Sequence, residues 1–135
     1  MSDNLVHLKI LTPNGIKFDA DIKMVEVKTP EGYIALMYNH VPFVATLSAD
    51  VIYITHSDKN RESGIINTGT IYATKTEIKI FALNFILTKD IDVNKVSEEK
   101  KKLEQQLSRI NDLVETTKIE RKLAFELLKL KQAKK

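Results

Sequence analysis

Through the first two thirds of the chain, apolar and polar side chains alternate in short runs with a period of two. That spacing turns one face of a strand inward and the other outward. Val6, Leu8 and Ile10 alternate with His7 and Lys9, and after Pro13-Asn14-Gly15 the residues Ile16, Phe18 and Ala20 alternate with Lys17 and Asp19. The pattern predicts a hairpin-like beginning. Further strands are predicted at Met24 to Lys28, Tyr33 to Met37, Phe43 to Leu47, Val51 to His56, Ile65-Ile66, Thr70 to Thr74 and Glu77 to Ala82. Thr29-Pro30-Glu31-Gly32 is a turn in which proline presets φ and glycine tolerates positive φ. Ser57 to Ser63 reads as a polar loop. About eight or more short strands with turns at this spacing predict a sandwich or flattened barrel.

After Asp90-Ile91-Asp92 the period changes to that of a helix. Asp92 is placed to accept from the open amides of a first turn, where the helix dipole favours a negative charge. A first helix is predicted from there to about Ser108, with a narrow stripe of Val93, Val96, Leu103, Leu107 and Ile110 that is broken where Glu99 and Lys100 stand. Ser108 to Asp112 supplies a turn and a new cap, and a second helix is predicted from about Asp112 to Lys131. Ile119, Leu123, Leu127 and Leu130 form its stripe, while Ala124, Phe125 and Leu128 widen the apolar arc to roughly 240°. Two helices cannot cover that arc between them. The excess must pack on the β-domain, on a second copy or on a partner. The predicted architecture is a β-sandwich domain over residues 1–88 followed by an antiparallel two-helix hairpin over 89–135.

Composition sharpens this division. All four glycines and all three prolines lie at or before Gly69, so nothing after it breaks a helix. Residues 1–91 carry nine basic and ten acidic side chains, and residues 92–135 carry twelve and eight, so the net charge of +3 resides in the tail. Lys100-Lys101-Lys102 and Lys134-Lys135 are interleaved with glutamates, which reads as a solvated helix face. A nucleic-acid-binding β-domain with a basic tail is the alternative of a different class, but the strands offer no RNP-like aromatic pattern and the tail's only aromatic is Phe125. There is no cysteine, hence no disulfide and no thiolate chemistry. The N-terminus lacks the basic and apolar regions of a signal peptide, and the longest near-apolar stretch, Phe81 to Leu87, is interrupted by Asn84 and far short of a membrane span. No phosphate loop, dinucleotide fingerprint, zinc helix or nucleophile elbow occurs. His7, His40 and His56 are scattered without metal-ligand spacing. No catalytic residue, metal site or cofactor is predicted.

The segment Val25 to Val44, which contains Thr29-Pro30-Glu31-Gly32-Tyr33-Ile34-Ala35-Leu36-Met37-Tyr38-Asn39-His40-Val41-Pro42, resembles a stretch of the epsilon subunit of F-type ATP synthases that reads roughly V-x-P-x-G-x-I-G-I-L-P-x-H-A-P-L. Gly32, Ile34, His40 and Pro42 agree with it, whereas Ala35, Tyr38 and Val41 replace its second Gly, its first loop Pro and its Ala. Asn67-Thr68-Gly69-Thr70-Ile71 resembles the family's G-G-x-hydrophobic strand entry, and Ile91-Asp92 falls at the family's junction with the hairpin. The resemblance spans nearly the whole chain.

It implies a ten-stranded sandwich and two helices in a non-catalytic subunit of the central stalk, on the cytoplasmic face of the membrane and touching it only through the complex. The implied partners are the gamma subunit, the c-ring and, when the hairpin extends, the alpha and beta subunits of the catalytic head. Gly32, Ala35, Tyr38, Asn39, His40, Val41 and Pro42 are the implied partner interface. Leu123, Phe125, Leu127 and Leu128 mark a switch helix that restrains ATP hydrolysis. A divergent paralogue in a related rotary ATPase is the alternative within the family. Some members bind ATP as a regulatory ligand through I-D-x-x-R-A at the first helix. Here Ile91, Asp92 and Lys95 stand at those positions, with Arg121 and Lys122 on the second helix. Lys95 in place of Arg lacks the bidentate fork, and the carboxylate of Glu126 repels a triphosphate, so the expectation is a weak nucleotide site at most.

Overall fold

The computed structural model describes residues 4–109 and 112–133. The chain divides into two compact units, Met1–Leu87 and Thr88–Lys135. The first holds β1 (Val6–Thr12), β2 (Gly15–Ile22), β3 (Met24–Thr29), β4 (Gly32–Met37), β5 (Phe43–Leu47), β6 (Asp50–Thr55), β7 (Arg61–Ala73) and β8 (Glu77–Leu87). Hydrogen bonds join the strands in the order β2-β1-β8-β7-β6-β3-β4, with β5 also on β7. The β1–β8 pair is parallel and the other pairs are antiparallel.

The sandwich arises because β7 and β8 turn a corner together. On β7 the core side chains are Ile66 before the corner and Ile71 and Ala73 after it; on β8 they are Ile78, Ile80 and Ala82, then Phe85. In both strands the buried parity changes between even and odd at the paired residues Asn67 and Asn84. Before the corner β7 bonds β6 through Arg61 to Ile66, and after it β5 through Gly69 to Ala73. One layer is therefore β2-β1-β8-β7-β5 and the other β8-β7-β6-β3-β4. Leu8, Ile10 and Ile80 of the first share a buried cluster with Val25, Val27 and Ile54 of the second.

Two expectations change. The ten strands implied by the resemblance are ten segments of eight continuous strands, because β7 and β8 each serve both layers. Arg61 to Ser63, expected in a polar loop, belong to β7, where they pair with Thr55, Ile54 and Tyr53. They read as loop because their outward positions are polar.

The second unit contains a 3₁₀ turn (Thr88–Asp90), α1 (Val93–Arg109) and α2 (Leu113–Ala133). Asp92 caps α1 by accepting from the N–H groups of Asn94 (3.0 Å) and Lys95 (3.3 Å), and Asp112 caps α2 through the Val114 N–H (2.9 Å). α2 packs on both α1 and the 3₁₀ turn, so its far end returns beside the start of α1 and the hairpin is antiparallel. Val96 and Leu103 are buried as the stripe predicts, Leu107 is half-buried and Val93 is exposed. Ile110, Lys134 and Lys135 lie outside the described residues.

The corner fixes one glycine by close approach. A Cβ on Gly69 would stand 2.5 Å from the Phe81 carbonyl oxygen, a main-chain atom that cannot rotate away. Gly69→Ala is expected to destabilise the sandwich by about 1–3 kcal/mol, the cost of overpacking. An unchanged urea midpoint would refute this account of the corner.

Candidate partner-binding surfaces

The folding of the sheet gathers the connections into two poles. One pole, called the loop pole below, carries the β2–β3 link at Lys23, the β4–β5 loop Tyr38 to Pro42, the β6–β7 turn His56 to Asn60 and the β7–β8 turn Thr74 to Thr76. The opposite pole carries Pro13-Asn14, Pro30-Glu31 and the break Ser48-Ala49. Backbone bonds tie the loop pole together: the Asn39 N–H donates to the Lys75 carbonyl (2.6 Å), and the Lys23 N–H to the Thr55 carbonyl (2.9 Å). His40 closes the Met37 turn by donating from Nδ1 to the Met37 carbonyl (2.6 Å), while its Nε2 is buried with no hydrogen-bond partner among the described residues. Val41 is 80% exposed beside it.

The residues expected at the partner interface therefore separate. Tyr38, Asn39, His40, Val41 and Pro42 share the loop pole. Gly32 stands at the opposite end of β4, roughly 20 Å away at about 3.3 Å per residue. There its φ of +121° lets the tight turn close. Ala35 lies between them on the exposed face of this edge strand.

The outer face of the β2-β1-β8-β7-β5 layer is apolar on one side and charged on the other. Val44, Tyr72, Phe81, Leu83 and Ile16 are all exposed, and the rings of Tyr72 and Phe81 meet edge to face at 5.7 Å and 87°. They border a recess of about 600 Å³ lined also by Thr70, Thr74, Glu77 and Lys79. Toward the loop pole the same face is ionic. His7 contacts Asp21 through Nδ1 (2.7 Å) and Asp19 through Nε2 (2.5 Å), and Lys79 pairs with Glu77 (3.4 Å). Two carboxylates on the two ring nitrogens favour the imidazolium, which donates at both. The Asp21 hydrogen bond, joined by Asp19, outweighs desolvation and raises the His7 pKa above its ordinary 6.5.

The sequence reading passed over this apolar surface, although a signal for it is present. Thr70-Ile71-Tyr72 and Ile80-Phe81-Ala82-Leu83 are apolar on both faces of a strand, which means that the outer face is meant to be covered.

The other layer presents a different outer face, one that is paired within itself. The Tyr33 hydroxyl donates to the Val51 carbonyl (2.9 Å) and lies near Asp50 (3.4 Å). Burial and the Asp50 carboxylate push its phenol up to about 12. Burial opposes ionisation of Asp50, but the Val51 N–H (2.7 Å) and the Lys28 ammonium (3.2 Å) prevail and hold its carboxyl below the usual range. Arg61 lies 4.1 Å from the Tyr53 ring centre and bonds Glu26 at 3.1 Å.

On the hairpin, Phe125 is buried, Leu123 and Leu128 are half-buried, and Leu127 is 45% exposed. The most covered residues of α2 are thus Ile119 from the predicted stripe together with Phe125, Glu126 and Gln132, while Leu123 and Leu130 are half-buried. Glu126 is tolerated there because Lys129 bonds it at 3.1 Å while lying 4.5 Å from the Phe125 ring centre.

The residues of the weak nucleotide site lie at the start of α1 and midway along α2. Asp92 spends its carboxylate on the α1 cap, and Lys95, Arg121 and Lys122 are all exposed. Among the described residues no group of His, Asp and Glu is arranged to hold a metal ion.

Residues 5–88 match the family model described as ATP synthase, Delta/Epsilon chain, beta-sandwich domain. Proteins named ATP synthase epsilon chain are similar over almost the full length. That of Mycoplasmoides gallisepticum is 41% identical, covering 96% of this chain and 100% of its own, and that of Mycoplasma genitalium is 39% identical, covering 97% and 98%. Among solved structures, a chain of the Euglena gracilis mitochondrial ATP synthase (OSCP/F1/c-ring) has the same fold, with a TM-score of 0.69 at 14% identity over 97% of this chain and 81% of that one. A chain of the Tetrahymena thermophila mitochondrial ATP synthase (central stalk and c-ring) gives 0.57 at 10% identity over 98% and 99%.

The His7 clamp has a pH signature. A histidine whose folded pKa is raised stabilises fully below its unfolded value near 6.5, and the contribution disappears as pH rises through the folded value. Because His7, Asp19 and Asp21 are each 40% or more exposed, the effect is at most about 1 kcal/mol. His7→Gln is expected to remove this slope from urea stability measured across pH 5.5 to 8. An imidazole NMR titration of His7 with a midpoint below 6.5 would contradict the clamp.

Proposed function

The chain belongs to the delta/epsilon chain family of ATP synthase subunits, and from that membership we propose that it is the non-catalytic central-stalk subunit of a rotary F-type complex. The sandwich binds the gamma subunit and rests on the c-ring, coupling proton-driven rotation to ATP synthesis, and the helical hairpin restrains ATP hydrolysis by extending toward the alpha and beta subunits. Such a subunit is peripheral on the cytoplasmic face of the membrane, and no described helix is long and apolar enough to cross it.

The observation that carries this reading is the pair of docking surfaces on one rigid sandwich. A subunit held between a shaft and a ring needs one surface for each, set at an angle. The exposed apolar face of Val44, Tyr72, Phe81 and Leu83 suits gamma, since uncovered aromatic and aliphatic side chains on an otherwise satisfied sheet are what a lasting protein interface buries. The loop pole, with Tyr38 to Pro42, suits the c-ring. The self-paired face around Tyr33 and Asp50 has little to offer either partner. Nucleic acid fits the apolar face poorly, because Tyr72 and Phe81 stand edge to face rather than as parallel stacking platforms, and the lysine beside them is paired with Glu77.

Phe81→Asp, at an exposed position that the fold does not need, is expected to weaken binding of the chain to epsilon-depleted F1 at least tenfold, the loss typical of a truncated interface anchor of about 1.4 kcal/mol or more. Equal binding by a variant with unchanged melting temperature would remove gamma from this face. Millimolar ATP is expected to leave the melting temperature of the isolated chain unmoved, because the hairpin's basic residues are dispersed; a clear rise would establish a nucleotide site.

A further inference from the structure

We propose that docking on the apolar face is proton-linked through His7, an inference that rests on the reading of that face as the gamma surface. Strand pairing lays the outward side chains of this layer in rows. Asp21, His7 and Glu77 stand abreast on β2, β1 and β8, and Asp19, Lys9, Lys79 and Tyr72 form the next row on β2, β1, β8 and β7. Leu11, Phe81 and Thr70 form the third. His7 is therefore two rows from the Phe81 anchor, about 13 Å along the strands at about 3.3 Å per residue. A standard interface takes about 800 Å² from each partner, a patch roughly 30 Å across. A partner centred on Phe81 and Tyr72 extends over His7 as well.

Each element packed beside His7 adds charge. β2 supplies Asp21 at Nδ1 (2.7 Å) and Asp19 at Nε2 (2.5 Å), and β8 supplies Glu77, which Lys79 pairs at 3.4 Å. Lys9 lies one row along β1, opposite Asp19. The β7–β8 turn, whose charged residue is Lys75, accepts the His7 N–H at the Thr76 carbonyl (3.0 Å). With the imidazolium in place, Asp19, Asp21 and Glu77 are matched by His7, Lys9 and Lys79, three charges of each sign, so a partner can cover the band without burying an excess. Without the proton one negative charge is left over, and Asp21, whose ion-pair partner among the described residues is His7, faces the interface alone. In the free chain water screens that imbalance, because all three clamp residues are 40% or more exposed. A covering partner removes the water and penalises the deprotonated form more than the protonated one. Docking thus tightens the hold on a proton that the clamp already favours. Linkage fixes the sign: affinity is greatest below the free-chain pKa and falls as pH rises from that value to the docked one.

The test titrates the full chain onto epsilon-depleted F1 at about pH 6 and about pH 8.5, at constant ionic strength and well below the melting temperature of every variant. Wild-type binding is expected to weaken about three- to tenfold across that interval, tenfold corresponding to a docked pKa about one unit above the free one. His7→Gln, polar but without a titrating proton, is expected to bind at the weaker level at both pH values. His7→Lys, charged throughout, is expected to hold the tighter level at both. Calorimetry in buffers of differing ionisation enthalpy is expected to show proton uptake on docking that His7→Gln removes. A wild-type affinity that does not change with pH, or a slope that His7→Gln shares, would overturn the proton link while leaving gamma on this face. His7→Lys binding no better than His7→Gln would also overturn it, since charge would then not be what the interface reads. Binding unaffected by Phe81→Asp would remove gamma from the face and this proposal with it.

Discussion

The shared corner of β7 and β8 is the constraint on which the rest of the molecule depends. A strand that runs straight presents the same parity to one face throughout, so a single sheet of these eight strands would leave half its isoleucines in water. By changing parity together at Asn67 and Asn84, the two longest strands fold the sheet over. Ile66 and Phe85 then join Ile71 and Ile80 in one core. Asparagine suits the change because it can be buried, as Asn67 is at 7% exposure, while still offering hydrogen bonds where the alternation fails. Gly69 follows because the chains approach too closely for a side chain.

From that corner the placement of every connection follows. Strands that leave the two layers on the same side must be joined by links on that side, so Lys23, Tyr38 to Pro42, His56 to Asn60 and Thr74 to Thr76 are neighbours although they span more than fifty residues of sequence. Charge and apolar surface are separated by the same geometry. The ionic pairs of His7 and Glu77 lie nearest the loop pole, Tyr72 stands level with Lys79, and Phe81 and Leu83 lie toward the corner. The two faces of the sandwich differ in what they leave uncovered: the β3-β4-β6 side pairs Asp50, Lys28 and Tyr33 with one another, whereas the opposite side pairs His7 and Lys79 with carboxylates and leaves Val44, Tyr72, Phe81 and Leu83 exposed.

Alternation was enough to read β1 to β6, because each is apolar on one face and three of their five connections are marked by proline, glycine or asparagine. The hairpin was equally legible from Asp92, Asp112 and the absence of helix breakers. β7 was not, since a one-dimensional period has no means of describing a strand that changes face midway: Thr68-Gly69 looked like an entry and Arg61 to Ser63 like a loop. The same limit applied to the surfaces. The loop Tyr38 to Pro42 was accessible as a contiguous motif, but His7, Asp21 and Glu77 form no run in the sequence, and only the strand pairing assembles them. Gly32 and His40 show the converse limit, since neighbours in one motif stand at opposite ends of β4.

The second helix shows why an amphipathic stripe is an incomplete guide to what is covered. The leucine spacing directs Leu127 inward, yet Leu127 is exposed and Glu126 is buried. A helix held only by leucines would gain most of its stability from removing apolar area from water, and uncovering it would forfeit all of that gain. A face that includes Glu126, Lys129 and Gln132 behaves differently, because two charges taken out of water carry a desolvation penalty that their mutual attraction only partly offsets. Exposure restores their hydration, so moving this helix to new surroundings costs less than the size of its buried face implies. An element whose proposed role is to change position requires alternative positions of similar free energy more than a tighter fit in any one place, and a polar intrusion of this kind favours that balance.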